Sequence, residues 1–170
     1  MNADLEYVVR LHRTESDALG FIPAPSIQRR YLDTGDHEWV TDGHGRRRGY
    51  LLHGPARWGK ALHIIQTVVE PDYRLRYYAA AAVQRIEEKG RIAGCTEIRL
   101  RCGVDLTANA FWLALGFQLL QFAIGGRVTR RTIAEYSRPI LQSPRIAPVA
   151  INATWTSKTP TLVSSPPQRF

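Results

Sequence analysis

Apolar and polar positions change period several times along this chain, and each change marks a predicted element. Residues 26–31 follow Pro23 and Pro25 and predict a short helix ending near Gly35, since proline suits a first helical turn and glycine the exit. Two short runs, 37–40 and 48–53, flank Asp42, Gly43, His44 and Gly45, residues that tolerate positive φ, so the stretch reads as a β-hairpin. Residues 61–69 are nearly continuous and β-branched through Ile64, Ile65, Thr67, Val68 and Val69. That pattern predicts a central strand buried on both faces and stopped by Pro71. Over 77–89 the period becomes helical, with Ala79, Val83 and Ile86 in phase and Gly90 at the expected end. Residues 95–102 set Ile98 and Leu100 against Glu97, Arg99 and Arg101, and read as the next strand. Asp105 stands where it caps a helix over 106–115 that Gly116 closes. A last alternating run, 127–138, predicts a closing strand, and no segment repeats another.

Composition draws the boundary. Residues 141–170 hold five Pro and eight Ser or Thr, with no acid beside Arg145, Lys158 and Arg169. Such a stretch does not offset its own ordering entropy, so the chain divides into a domain over 1–140 and an extended basic tail over 141–170. The alternative is an arm that packs on the domain, or on the partner of a homodimer, through Trp155 and Phe170. With 170 residues, 44% of them hydrophobic, the chain is of a size to bury one real core. No run approaches a membrane span, and Asp4, Glu6 and Arg10 interrupt the apolar stretch a signal peptide needs, so a soluble, cytoplasmic protein without membrane contact is expected. Cys95 and Cys102 lack His or Cys neighbours at ligand spacing and the five His are scattered. Reduced, buried thiols and no metal are the expectation.

Charge adds a partner class. Lys plus Arg number 23 against 15 acids, a net charge of +8, and arginine supplies 20 of the 23. Every acid lies within 1–140, which leaves +5 on the domain and +3 on the tail. An arginine excess of this kind suits a phosphorylated cofactor, nucleic acid or an acidic protein surface. If Arg46, Arg47 and Arg48 share a cleft with Arg74, Arg127, Arg130 and Arg131, they form a phosphate-binding stripe, with Tyr73, Tyr77 and Tyr78 to stack on bases. The plainer alternatives are solvated basic surface and tyrosines covering a helix edge.

Strand, Pro71, Arg74, helix, strand, then Ala108-x-x-Phe111-Trp112-x-x-x-Gly116-Phe117: over residues 14–138 this order resembles the GNAT superfamily of acyl-CoA N-acyltransferases. The resemblance implies an α/β (α+β) fold, a mixed and mainly antiparallel central sheet flanked by helices, followed by the extended C-terminal tail. It implies transfer of an acetyl or other short acyl group from acetyl-CoA or another acyl-CoA to an amine, in one variant an amine on a nucleic acid. The alternative is a non-catalytic module of the same fold that binds nucleic acid or a protein partner.

The resemblance further implies that the strand ending at Val69 splays from the next one and that amides opening the following helix bind pyrophosphate. The family loop [QR]-x-x-G-x-[GA] reads here Arg74, Leu75, Arg76, Tyr77, Tyr78, Ala79, so Tyr77 replaces the first glycine and only the small Ala79 is kept. Cofactor contacts are thus implied for Val69, Arg74, Arg76, Tyr77, Tyr78, Ala79, Asn109 and Trp112. Tyr77 is expected in a helical φ with its ring outward. Trp112 stands where the family carries a tyrosine that protonates the leaving thiolate, and indole offers only a neutral N–H. Amine acylation also needs a base. Glu70 and Asp105 are the candidate bases and Gln66 a candidate substrate hydrogen bond. Against these stand a solvated turn carboxylate, a helix cap and an ordinary buried amide.

Overall fold

The computed structural model describes residues 2–125 and 130–142. Helix α1 (Ala3–Thr14) precedes a single turn, α2 (Ala24–Ile27), that runs on as a π-helical turn, Gln28–Leu32. Strands β1 (His37–Thr41), β2 (Arg47–His53) and β3 (Ala61–Val69) lead through a 3-10 turn, Pro71–Tyr73, into α3 (Tyr78–Ile92). β4 (Glu97–Gly103), α4 (Ala108–Ala114), β5 (Gln118–Gly125) and β6 (Arg131–Pro139) complete the chain. The strands form one sheet in the order β1-β2-β3-β4-β6-β5. Every pairing is antiparallel except that of β3 with β4, which gives the mixed, mainly antiparallel sheet expected.

Two cores sandwich this sheet. Val83 and Ile86 of α3 and Trp112 of α4 pack on Leu51, Leu62, Ile98 and Leu100, while Leu5, Val8 and Leu11 of α1 pack with Ile27 on Tyr50, Leu52 and Val68. β3 serves both, and not by being buried on both faces as its composition predicts. Its residues alternate, with His63 and Ile65 exposed between Leu62, Ile64 and Gln66. The register with β2 slips between the pairs Leu52–Gln66 and His53–Ile64, which leaves Ile65 as an extra residue. A bulge of this kind reverses the alternation, so Leu62 and Ile64 face the α3 layer and Val68 the α1 layer.

Other expectations are also corrected. Gly90 does not end α3, which runs on to Ile92. It is a packing glycine, since a Cβ there stands 2.8 Å from Ile140 and 3.2 Å from Leu62, and Gly94, at φ +72°, follows the helix end. Asp105 does not cap α4, whose N-cap is Thr107, without a side-chain hydrogen bond. Neither α1 nor β5 is predicted from the sequence. α1 buries Leu5, Val8 and Leu11 at helical spacing, and Asn2 caps it by accepting from the Asp4 N–H at 3.0 Å. β5 escapes because a register shift between Leu119 and Gln121 leaves Leu120 as an extra residue and breaks the alternation. Cys95 and Cys102 are buried and free. Among the described residues no helix is long and apolar enough to cross a membrane. The tail from residue 143 onward, with Trp155 and Phe170, and Arg127 of the expected closing strand lie outside the described residues.

Gly49 of β2 pairs with Val69, and a Cβ on it stands 2.1 Å from the Val68 carbonyl oxygen. That neighbour is backbone and cannot rotate away. Gly49→Ala is therefore expected to destabilise the protein by about 3 kcal/mol or more, read from urea unfolding; a loss under about 1 kcal/mol means that β2 and β3 part freely.

Candidate functional site

Parallel pairing of β3 with β4 covers Ala61–Glu97 to Ile64–Leu100 and then stops. Beyond that point β3 stays on β2 and β4 stays on β6, so the two strands fork at the Ile65 bulge. The segment leaving the fork turns at Pro71–Tyr73 and enters α3 through two left-handed residues, Leu75 at φ +59° and Tyr77 at φ +62°. Tyr77 thus departs from the expected helical φ, although its ring is turned outward as expected, 86% exposed. A residue with a Cβ pays about 1–2 kcal/mol for this conformation, and glycine almost nothing. The backbone keeps a glycine shape without the glycine.

That shape leaves α3 open at its start. Tyr77 makes no side-chain cap, and the first bond is Ala81 N–H to the Tyr77 carbonyl at 3.1 Å. The N–H groups of Tyr78, Ala79 and Ala80 have no acceptor among the described residues. Free first-turn donors on a 15-residue helix form an anion site. Of the two nearby arginines, Arg74 donates through Nε to the Val69 carbonyl at 3.1 Å and pairs with Glu15 at 2.5 Å. Arg76 is exposed and, among the described residues, has the Tyr73 ring beneath it at 5.5 Å and no carboxylate partner.

Glu70 closes β3. The Tyr7 hydroxyl donates to its Oε1 at 2.9 Å, and Arg48 lies 3.8 Å from its Oε2. Burial and then the bond to Glu70 raise the Tyr7 phenol well above its ordinary value, so Tyr7 remains the donor. The other predicted residues are occupied elsewhere. Gln66 donates to the Gly20 carbonyl at 2.9 Å and accepts from the Tyr50 hydroxyl at 3.3 Å. Asp105 takes both arms of Arg131 at 2.7 Å, and the same guanidinium donates to the Asp17 carbonyl at 3.0 Å. Asn109 donates to the carbonyls of Gly103 at 2.8 Å and Leu106 at 2.6 Å, and accepts from Tyr136 at 2.8 Å. Trp112 is a core residue, edge-on to Phe111 and Phe117.

The fork thus gathers Val69, Glu70, Arg74, Arg76, Tyr77, Tyr78 and Ala79, while Gln66, Asp105, Asn109 and Trp112 hold the surrounding frame. Tyr7 and Glu15 join the site without a signal in their own neighbourhood apart from the helical spacing of α1, whereas Arg48, singled out with Arg46 and Arg47, reaches it by facing Glu70. Together with Gln66 and Arg131, Arg74 ties down the connection after α1 at three points: Glu15, Asp17 and Gly20. The predicted arginine stripe is largely neutralised. Arg47 pairs with Asp4 and stacks 3.6 Å from Trp39, Arg48 pairs with Asp42, and Arg131 with Asp105.

A family model described as the acetyltransferase (GNAT) family matches residues 6–117. Among solved structures, Ard1 from Thermoplasma volcanium superposes with a TM-score of 0.68 at 16% identity, over 82% of this chain and 93% of that one. The ribosomal-protein-S18-alanine N-acetyltransferase from Escherichia coli gives 0.63 at 16%, over 86% and 94%. NAA60 from Arabidopsis thaliana, in complex with a bisubstrate analogue, gives 0.68 at 17%, over 83% and 95%. At these identities the likeness is one of fold. No curated protein matches the chain.

Two outcomes follow from this geometry. Tyr77→Gly relieves the left-handed strain and loses only an exposed ring, so a gain of about 0.5–1 kcal/mol is expected after the entropic cost of glycine, read from the urea midpoint; a loss contradicts the strain. The hydrogen bond from Arg131 holds the Asp105 carboxyl below its usual range. A depressed folded value contributes stability above the unfolded value near ~3.9 and loses it as pH falls through the folded one. The deficit of Asp105→Asn is expected at pH 7 and to shrink below about pH 4; a pH-independent deficit assigns the clamp to packing.

Proposed function

The chain belongs to the GNAT acetyltransferase family, and from that premise we propose that it moves an acetyl or other short acyl group from an acyl-CoA to an amine. The observation that supports this most is the left-handed backbone at Tyr77, which keeps the first amides of α3 free beside the fork. These groups fit a pyrophosphate: the N–H groups of Tyr78, Ala79 and Ala80 bind it, with Arg76 as the cation nearest to hand. Arg74 adds a second charge if Glu15 releases it. The edge of β3 left open beyond Ile64 offers backbone groups to the amide-bearing arm of the same molecule, the Val69 carbonyl joining them when Arg74 lets it go.

An acyl-CoA supplies an acyl carbon activated by its thioester and a thiolate able to leave. The amine nitrogen bonds that carbon, the carbon–sulfur bond breaks, and Glu70 accepts the proton the nitrogen loses, which ends on the departing thiol. Tyr7 steadies Glu70 by donating to Oε1, leaving Oε2 for the proton. Asp105, committed to Arg131, and Gln66, committed to Gly20 and Tyr50, act in this reading as supports. One observation favours the alternative of a binding module without turnover: Trp112 lies in the core where the family carries its phenol.

Calorimetry with acetyl-CoA separates these readings from a lost site. Binding is expected, and Ala79→Glu should weaken it at least about tenfold while leaving stability equal or higher, because a first-turn carboxylate suits the helix and repels phosphate. Unchanged affinity removes the helix start from the site. Glu70→Gln should lower kcat about 10²-fold on a reactive amine without changing acyl-CoA affinity. Binding with no turnover on any amine of a broad panel selects the non-catalytic module.

A further inference from the structure

Nine of the seventeen arginines among the described residues face a carboxylate: Arg47, Arg48, Arg74, Arg85, Arg91, Arg99, Arg101, Arg131 and Arg138. Three that do not converge on one place. Arg29 and Arg30, from the π-helical turn after α2, and Arg57, from the connection between β2 and β3, line an open cleft of about 450 Å³. Arg29 bonds only the Pro25 carbonyl, at 3.4 Å, and Arg30 and Arg57 engage no carboxylate among the described residues. The single acid in the lining, Asp36, accepts from the Thr34 hydroxyl at 2.9 Å. Uncompensated guanidinium groups gathered around a concavity repel one another, so the arrangement favours an anion that lies between them.

The cleft lies away from the start of α3. Gly54, in its lining, donates to the His63 carbonyl near the start of β3, whereas Val69 and Glu70, which lead to α3, stand where β3 ends. The wall that carries Arg29 and Arg30 is a π-turn, closed by Asp33 N–H on the Gln28 carbonyl at 2.9 Å, and such turns recur at functional sites. Tyr31 lies in the lining beside them. Arginines on two separate segments, with the half-buried Tyr31 beside them, match a run of phosphates better than a single small anion.

We propose that this cleft binds the backbone of a single-stranded nucleic acid, Arg29, Arg30 and Arg57 contacting successive phosphates and Tyr31 offering the exposed part of its ring to a base. The site is independent of acyl transfer. It places the nucleic-acid contact at the opposite end of β3 from the acyl-CoA groups, not on the arginine clusters predicted from the sequence.

Anisotropy of a labelled mixed-sequence 20-nucleotide RNA, titrated with the whole protein, tests it. Three phosphate contacts predict that affinity falls about twentyfold between 50 and 200 mM salt. Arg30→Glu and Arg57→Glu should each weaken binding at least about tenfold and flatten that dependence, whereas Arg46→Glu, an equal charge change at the far end of the β1–β2 hairpin, should stay within about twofold. Both cleft residues are exposed, and an unchanged urea midpoint serves as the check that each variant is folded. Absence of RNA binding at 50 mM salt overturns the proposal, as do cleft variants that bind like the wild type or an Arg46→Glu loss as large as theirs. Full competition by inorganic phosphate at equal phosphate concentration overturns it too, since it assigns the cleft to a small anion.

Discussion

Backbone groups left unpaired inside a fold are costly, and this protein is organised around a place where two neighbouring strands leave theirs open. β3 and β4 pair for four residues and then diverge, each retaining a partner on its other side. The bulge at Ile65 makes this tolerable. It turns the second half of β3 toward the α1 layer, so that Val68 remains buried after β4 has gone. The open edge is thus built by the same irregularity that lets one strand serve two cores.

Everything near the fork is held by bonds from distant parts of the chain. The connection after α1 is tied through Glu15 to Arg74, through Asp17 to Arg131 and through Gly20 to Gln66. Asn109 closes the turn after β4 with two carbonyl contacts and is itself fixed by Tyr136. Side chains that look reactive in the sequence therefore mostly immobilise the walls, which leaves the N–H groups at the start of α3 without an acceptor among the described residues and, in the proposed reading, Oε2 of Glu70 to take the substrate proton. Preorganised donors on rigid elements are what stabilise a developing charge without rearrangement.

Charge is distributed on the same plan. A net charge of +8 spread evenly would make the whole surface attractive to anions. Ion pairs leave that excess unchanged but use up the acids and the arginines that face them, so among the described residues it falls to cations without a carboxylate, Arg76 at α3's entrance and Arg29, Arg30 and Arg57 at the cleft beside the π-turn among them. Localised charge directs a ligand, whereas diffuse charge only attracts it.

The sequence by itself determined the local elements and the family. Helical spacing over 77–89, the hairpin around Gly43 and Gly45, the alternation of 95–102 and the Ala108 to Phe117 run all follow from neighbours within a few residues, and a single chain displays those directly. β5 was hidden by its register shift, and the reversal within β3 by a bulge that depends on pairing with β2. The role of Asp105 was hidden because its partner, Arg131, lies on another strand, and Gln66 because its acceptor, Gly20, is 46 residues away. The left-handed turn at Tyr77 was likewise decided by tertiary structure. Steric preference argues against that conformation for tyrosine, and only the surrounding fold, which must bring Val69 round to the start of α3, holds it there.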